Sequence, residues 1–579
     1  MSVKVARSAG FCMGVRRAMN IVLDTVNRGT ATVCTLGPLI HNQHVVELLR
    51  TRGVRVIDDV SQSGGSTVVI RAHGVPPDVR EHLERVDATV RDATCPHVTK
   101  VQSIVKRHAA DGYQVLIVGD SGHAEVNGLL GYASGKGIVI STLDDLNRLG
   151  ALDKVCVVGQ TTQDAAKFDE IAREARRRYQ DCIVFDTLCD STHQRQAELR
   201  DMAKHADAVV VVGGYDSANT KRLADIARST DVPTFHVESA EGLDTVPVGN
   251  FKDVVVTAGA STPNWVIRGV VEAIERAQQQ RMSLPARVLR QAAKFLQDSG
   301  ILVSGSTALL TYASCRLQEI PVQPDYLILA FSYVFAMQHL LYFTDRAAAA
   351  FNEPARAAFY EKHKALIVAV GALGILVALG FSIALGLDAF GLVLLASAAG
   401  IAYNVAIVPE RIAARVRVRR LKDIPASKDA FTALAWTVVT VAVPLVNASV
   451  PITGRSAVAF FFVFVIAFIR SVIVDVQHIQ GDRIVGKETI PIVIGKNRTK
   501  VLLGVLAAGL AIVLFWAAQV GIVSTLGYWL IACVVYACTY LYLYHERITF
   551  QTIPFETVVD SNFGLAGLVA LMWSMTTHG

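Results

Sequence analysis

The stretch Tyr113–His123, YQVLIVGDSGH, sets the pattern by which the first half of this chain is read. Its apolar run, Val115 to Val118, stops abruptly at glycine, aspartate and histidine. Runs of the same kind recur at 67–74 (TVVIRAHG), 154–162 (KVCVVGQTT), 206–217 (ADAVVVVGGYDS) and 253–261 (DVVVTAGAS), with helical patterns between them. Continuous β-branched runs separated by helices predict buried parallel strands. In open sheets of that type, ligands sit beyond the carboxyl ends of the strands. The polar residues there are His73, His123, Thr161, Ser217 and Ser261. Each alone is an ordinary turn residue. Five hydrogen-bonding strand ends, mostly beside glycine, exceed what turns alone need.

Working outward, 579 residues are too many for one hydrophobic core, so two or more domains are expected. Residues 1–280 read as a soluble α/β domain, and residues 300–579 as an all-α membrane domain. Between them, 281–299 form a linker: a break at Pro285 and then a basic amphipathic helix, suited to a membrane interface or to a plain connection. Crossing roughly 30 Å of hydrocarbon takes about 20 helical residues. Nine stretches qualify as candidate spans, near 300–318, 325–343, 365–386, 388–408, 430–447, 457–474, 500–519, 525–544 and 558–576. With the first half in the cytoplasm, loops on that side begin near 344, 409, 475 and 545. The loop 409–428 holds Arg411, Arg415, Arg417, Arg419, Arg420, Lys422 and Lys428, and the loop 475–500 adds Arg483, Lys487, Lys496, Arg498 and Lys500. The opposite loops carry little beyond Arg316 and Arg455. That asymmetry obeys the positive-inside rule. No apolar signal core opens the chain, so no cleaved targeting peptide is expected. The net charge of +6 is explained by these loops and calls for no nucleic-acid partner.

Nine cysteines without a CxxC pair suit a reducing compartment. Cys34, Cys156 and Cys182 lie in apolar stretches and read as core. Cys12 (AGFCMGV), Cys95 (DATCPHV) and Cys189 (FDTLCDSTHQRQ) instead follow apolar runs at turns. Spacing alone does not make these three a metal site. Taken in order, however, AGFCMGV, LGPLIHN, IRAHGVP, ATCPHV, GHAEVNG, VGQTTQ, DTLCDSTHQRQ, SANTKRL and TAGAST resemble the 4-hydroxy-3-methylbut-2-enyl diphosphate reductase (LytB) family over roughly residues 1–280. The resemblance implies a three-lobed α/β fold around a 4Fe–4S cluster, with Cys12, Cys95 and Cys189 holding three irons. The fourth iron would take the substrate hydroxyl, removed with two electrons and two protons to give isopentenyl and dimethylallyl diphosphates. Glu125 would be the proton source, helped by Thr161. His41, His73, His123, Ser217, Asn219 and Ser261 would bind the diphosphate. Where the family has a second serine after Ser217, this chain has Ala218. No electron-carrier motif is present, so an external donor such as ferredoxin or flavodoxin is expected.

In the second half, RSVIVDVQHIQGDRIVGKETIPIVIGKNRT (470–499) resembles the second aspartate-rich motif of the UbiA-type prenyltransferase family. That family binds a prenyl diphosphate through Mg²⁺. The resemblance implies roles for Asp475, Asp482 and Lys428, and for Asp345 in a first motif. His478, Leu341 and Ala349 depart from it, with Asn352, Glu353 and Arg356 nearby as candidate compensations. Two alternatives stand: an active prenyltransferase, or a non-catalytic anchor or prenyl-lipid binder. A bacterial inner-membrane protein with a cytoplasmic reductase domain is the expected setting.

Overall fold

The computed structural model describes residues 2–29, 32–86, 88–344, 346–403, 421, 424–545 and 555–577. Asp345, Arg411, Arg415, Arg417, Arg419, Arg420, Lys422 and the side chain of Leu341 lie outside the described residues. The chain divides into two compact units, Met1–Met282 and Ser283–Gly579.

The first unit holds three four-stranded sheets, and every strand pairing in them is parallel. One sheet runs β3 (Val54–Ile57), β2 (Val33–Leu36), β4 (Thr67–Ile70), β5 (Thr89–Asp92). A second runs β7 (Gly137–Ile140), β6 (Gln114–Val118), β8 (Lys154–Gly159), β9 (Asp181–Val184). The third runs β11 (Thr234–Val237), β10 (Ala208–Val212), β12 (Asp253–Ala258), β1 (Ser2–Val5). In each sheet the chain lays a central strand, then its outer neighbour, then the other central strand, then the far edge. The third lobe fills that last place with the chain's first strand, Ser2 pairing in register with Asp253. Helices cover both faces, which is why the central strands read as unbroken apolar runs. Val115 to Val118 and Val209 to Val212 are fully buried, each side chain contributing roughly 1.5–3 kcal/mol by leaving water. Each lobe has its own apolar core.

The second unit is helical. Six of its helices are long and apolar enough to cross a membrane: Lys364–Ala384, Ser427–Asn447, Gly454–Ile484, Lys496–Gln519, Leu526–Tyr544 and Phe555–Thr577. Helices also cover Ile301–Gln318, Pro324–Thr344 and the shorter Leu387–Ala402. Large apolar side chains point outward, among them Leu366, Leu373, Leu376, Val505, Ile512 and Trp516. A water-soluble surface does not carry so wide an apolar face. Helices Ile301–Gln318 and Phe555–Thr577 approach so closely that a Cβ on Gly567 would stand 2.6 Å from the Leu309 carbonyl oxygen. Such backbone contact through small residues is how helices pack where lipid removes the hydrophobic drive.

One expected boundary is corrected. The loop placed at 475–500 begins later, because the helix Gly454–Ile484 continues past residue 474. Asp475 and Asp482 therefore lie on a helix, and Lys496 opens the next one.

Candidate functional site

The three lobes deliver their polar residues by one rule. The first-laid central strands β2, β6 and β10 end at Leu36, Val118 and Val212, and five residues on in every case come His41, His123 and Ser217. The second central strands β4, β8 and β12 lead to His73, Thr161 and Ser261. The edge strands β5, β9 and β1 lead to Cys95, Cys189 and Cys12.

All three cysteines are N-cap residues, of helices Pro96–Ala110, Asp190–Ala203 and Met13–Arg28 respectively. The Cys12 thiol accepts from Val15 N at 3.5 Å, and Cys189 Sγ lies 3.1 Å from Thr192 Oγ1. A Cβ on Gly14 would stand 2.6 Å from Cys95 Sγ and 3.9 Å from Cys12 Sγ. Glycine thus keeps open the space the two thiols share. Burial pushes the thiols of Cys95 and Cys189 up, and their nearness to Cys12 adds to it. Thiols gathered this closely are what an iron cluster would convert to thiolate ligands. The residues present fit a 4Fe–4S group. Buried Arg195 lies beside them, donating to the carbonyls of Ala258 and Gly10.

Next to the thiols, His41, His73 and His123 gather with ring centroids 4.8, 5.8 and 5.5 Å apart. Desolvation holds all three imidazoles below their ordinary value, His123 at about 4 and His73 well below, with Arg71 adding repulsion. They are neutral at pH 7. His41 Nε2, His73 Nδ1, Arg71 Nε and Asn219 Nδ2 are buried without a hydrogen-bond partner among the described residues. Unsatisfied buried donors are costly, and an anion with several oxygens would satisfy them together. Ser261 Oγ donates to the His41 carbonyl at 3.1 Å, and Ser217 caps the helix Ala218–Arg228. The Ser261 bond ties the third lobe to His41 of the first.

Glu125 sits in the first turn of helix Ala124–Tyr132, whose N-cap is His123. Its carboxyl accepts from Thr161 N at 2.7 Å and Thr161 Oγ1 at 3.0 Å. Burial raises its pKa despite those bonds. The Thr161 carbonyl in turn accepts from Cys189 N at 3.0 Å and Thr192 Oγ1 at 3.0 Å. A carboxyl whose pKa burial raises is thus fastened, through one threonine, to the loop that carries a thiol. Sequence reading passed over Arg71, Thr192, Arg195 and Arg222. Arg222 joins two lobes, pairing with Asp120 Oδ2 at 2.6 Å and donating to Gln163 Oε1 at 2.8 Å. A charged residue inside an apolar-rich motif was the available signal for Arg71.

In the helical unit, Asp475 pairs with Lys428 at 2.7 Å, and Asp482 accepts from Asn352 Nδ2 at 3.2 Å with Lys487 Nζ at 3.6 Å. Ser471 Oγ donates to Asp429 at 2.6 Å. One oxygen each of Asp429, Asp475 and Asp482 is buried with no hydrogen-bond partner among the described residues. Carboxylate oxygens held in that state suit a hard divalent cation. Asp429 was not anticipated. His478 turns instead to Glu353 and Glu556.

Residues 3–275 match the LytB protein family, and residues 360–553 match the UbiA prenyltransferase family. The 4-hydroxy-3-methylbut-2-enyl diphosphate reductase of Opitutus terrae is 40% identical over 287 residues, 48% of this chain and 99% of that protein. The reductase of the same name from Geobacter sulfurreducens is 42% identical over 275 residues, 48% of this chain and 97% of that one. A UbiA homolog from Archaeoglobus fulgidus, solved bound to GPP and Mg²⁺, aligns with 49% of this chain and 98% of its own at 16% identity and a TM-score of 0.36. The first unit is thus that of an isoprenoid-pathway reductase carried on a helical unit. The chain belongs to the 4-hydroxy-3-methylbut-2-enyl diphosphate reductase (LytB) family, and its residues 360–553 match the UbiA prenyltransferase family.

Proposed function

We propose that the first unit reduces 4-hydroxy-3-methylbut-2-enyl diphosphate to isopentenyl and dimethylallyl diphosphates, and that the helical unit binds a prenyl diphosphate with Mg²⁺ and transfers its prenyl group. Family membership supports the first half of this reading. The observation that carries it is Glu125, buried, raised in pKa and bound to Thr161 beside the Cys189 loop. A 4Fe–4S group held by Cys12, Cys95 and Cys189 would supply two electrons from an external donor of the ferredoxin or flavodoxin kind, and an open iron position for the substrate oxygen. Substrate, two electrons and two protons give product and water. His41, His73, His123, Ser217, Asn219 and Ser261 hold the diphosphate with donors that carry no fixed charge in the free protein, and the histidines among them can take up protons as the anion binds. Glu125 keeps a proton near the leaving oxygen, and Thr161 aims it.

For the helical unit, the orphaned oxygens of Asp475 and Asp482 favour Mg²⁺-borne diphosphate recognition, as does the match over residues 360–553. The helices Ile301–Gln318, Pro324–Thr344 and Leu387–Ala402 complete nine spans in a bacterial inner membrane, with the reductase unit cytoplasmic. The helix Leu284–Asp298 leaves Leu284, Val288, Leu289, Phe295 and Leu296 exposed while Arg287 and Arg290 are half-buried. That inverted face suits the lipid interface.

The full chain in detergent tests both halves. Electron-driven turnover of the hydroxylated diphosphate should be present, and prenyl diphosphate binding should require Mg²⁺ and weaken sharply in the Asp475→Ala, Asp482→Ala double variant. Binding indifferent to metal and to those aspartates would make the helical unit a non-catalytic anchor or prenyl-lipid binder.

A further inference from the structure

Three side chains from separate segments of the helical unit converge on one point. Glu353 is the N-cap of helix Pro354–Lys362, His478 lies within Gly454–Ile484, and Glu556 is in the first turn of Phe555–Thr577. His478 Nε2 is 3.4 Å from Glu556 Oε1 and 3.9 Å from Glu353 Oε1. All three ligand atoms fall within 4.8 Å of one another. Two carboxylates and an imidazole this close need compensation: Arg356 supplies one positive charge at Glu353, and a proton on the imidazole or a carboxyl, or a cation in the gap, supplies the rest.

The spacing suits a cation. Two ligand atoms about 2.1 Å from one ion, at the tetrahedral angle, stand about 3.4 Å apart. Arg356 holds the far oxygen of Glu353 at 3.1 Å, leaving Oε1 turned toward His478. A neighbouring group that fixes a ligand's orientation in this way is a regular feature of metal sites. We infer that Glu353, His478 and Glu556 form a binding site for a divalent first-row transition ion of the Mn²⁺, Fe²⁺ or Zn²⁺ class. The imidazole sets this class, since Mg²⁺ prefers oxygen ligands and gives up water reluctantly. Three protein ligands leave at least one position for water or another oxygen donor. His478 lies on the same helix as Asp475 and Asp482, between them, but none of the three ligands is shared with that pair, and the variants below read the two sets separately.

The test counts manganese, which the iron of the first unit does not confuse. The full chain in detergent is stripped with a chelator, dialysed against Mn²⁺ with Mg²⁺ in excess, and its bound manganese measured by mass spectrometry. Wild type should retain about one manganese ion per chain more than His478→Ala or Glu556→Gln, and the Asp475→Ala, Asp482→Ala variant should match wild type. Glu353→Gln, altered outside the long helices, gives the same reading should His478→Ala fail to fold. His478→Asp should keep an ion but lose it to Mg²⁺. Equal manganese in wild type, Glu556→Gln and Glu353→Gln would overturn the site and leave a bridging imidazolium. So would complete displacement by Mg²⁺ in wild type.

Discussion

The two units prepare for diphosphates with opposite polarity. In the first, the buried groups left without partners among the described residues are mostly able to donate: Arg71 Nε, Asn219 Nδ2 and the imidazole nitrogens of His41 and His73. In the second, they include the acceptor oxygens of Asp429, Asp475 and Asp482. A donor-lined cavity takes an anion directly. An acceptor-lined one takes a cation first and the anion through it. The scaffolds differ in the same sense. Turns at strand ends present single side chains from three lobes, whereas one helix, Gly454–Ile484, carries both Asp475 and Asp482, about two turns apart along one face. A parallel sheet makes convergence cheap in sequence but distant along the chain, and a helix does the reverse.

The sharpest way to break this contrast is at its proton. Replacing Glu125 by Gln keeps the size and one acceptor for Thr161 but removes the transferable proton. Turnover should fall on the order of 10²- to 10⁴-fold, with the cluster's visible absorbance unchanged. Retained turnover would strip Glu125 of its role. The second test is at the metal cradle. Gly14→Ala puts a methyl 2.6 Å from Cys95 Sγ, so the purified variant should contain far less iron and sulfide than wild type while keeping its circular dichroism. On the acceptor side, Asp475→Ala with Asp482→Ala should weaken Mg²⁺-dependent prenyl diphosphate binding by about tenfold or more, a loss above 1.4 kcal/mol, read by calorimetry with and without the metal. Asp482 also has Asn352 at 3.2 Å, and Asn352→Ala should cost less than the double variant in the same titration.

How much of this was legible follows from range along the chain. Strand ends were readable because a doubly covered parallel strand must be apolar throughout, so its polar stop is conspicuous. The order of motifs around Cys12, Cys95 and Cys189 carried the family. The equivalence of the three lobes was not readable, because β1 completes a sheet whose other strands begin two hundred residues later. Nor were the bridges from Arg195 to Gly10 and from Arg222 to Asp120, since no local pattern announces a contact of that separation. In the helical unit, hydropathy ended a span at residue 474 because Asp475, His478, Asp482 and Arg483 depress it. Backbone hydrogen bonding does not follow side-chain polarity, and the helix runs to Ile484. Glu556 was missed for the same reason as Arg195: its partner His478 lies far away in sequence.

The smallest expected effect separates the two sites by pH. In the free protein the His41, His73 and His123 imidazoles are held below 6.5. A depressed imidazole adds stability that is complete above its unfolded value near 6.5 and is lost as pH falls, for His123 down to about 4. Glu125 runs the other way: its raised pKa adds stability below its unfolded value of about 4.5, which is lost as pH climbs toward the folded one. An anion seated among the histidines favours their charged forms, so its binding should take up protons and tighten as pH is lowered through the histidine range. Calorimetry of inorganic pyrophosphate in buffers of different ionisation enthalpy should register proton uptake at the first unit, reduced in His123→Gln. Pyrophosphate taken up through Mg²⁺ at Asp475 and Asp482 should show the opposite trend, since acid displaces the metal from carboxylates. The same proton trend at both sites would dissolve the distinction between donor-lined and acceptor-lined recognition.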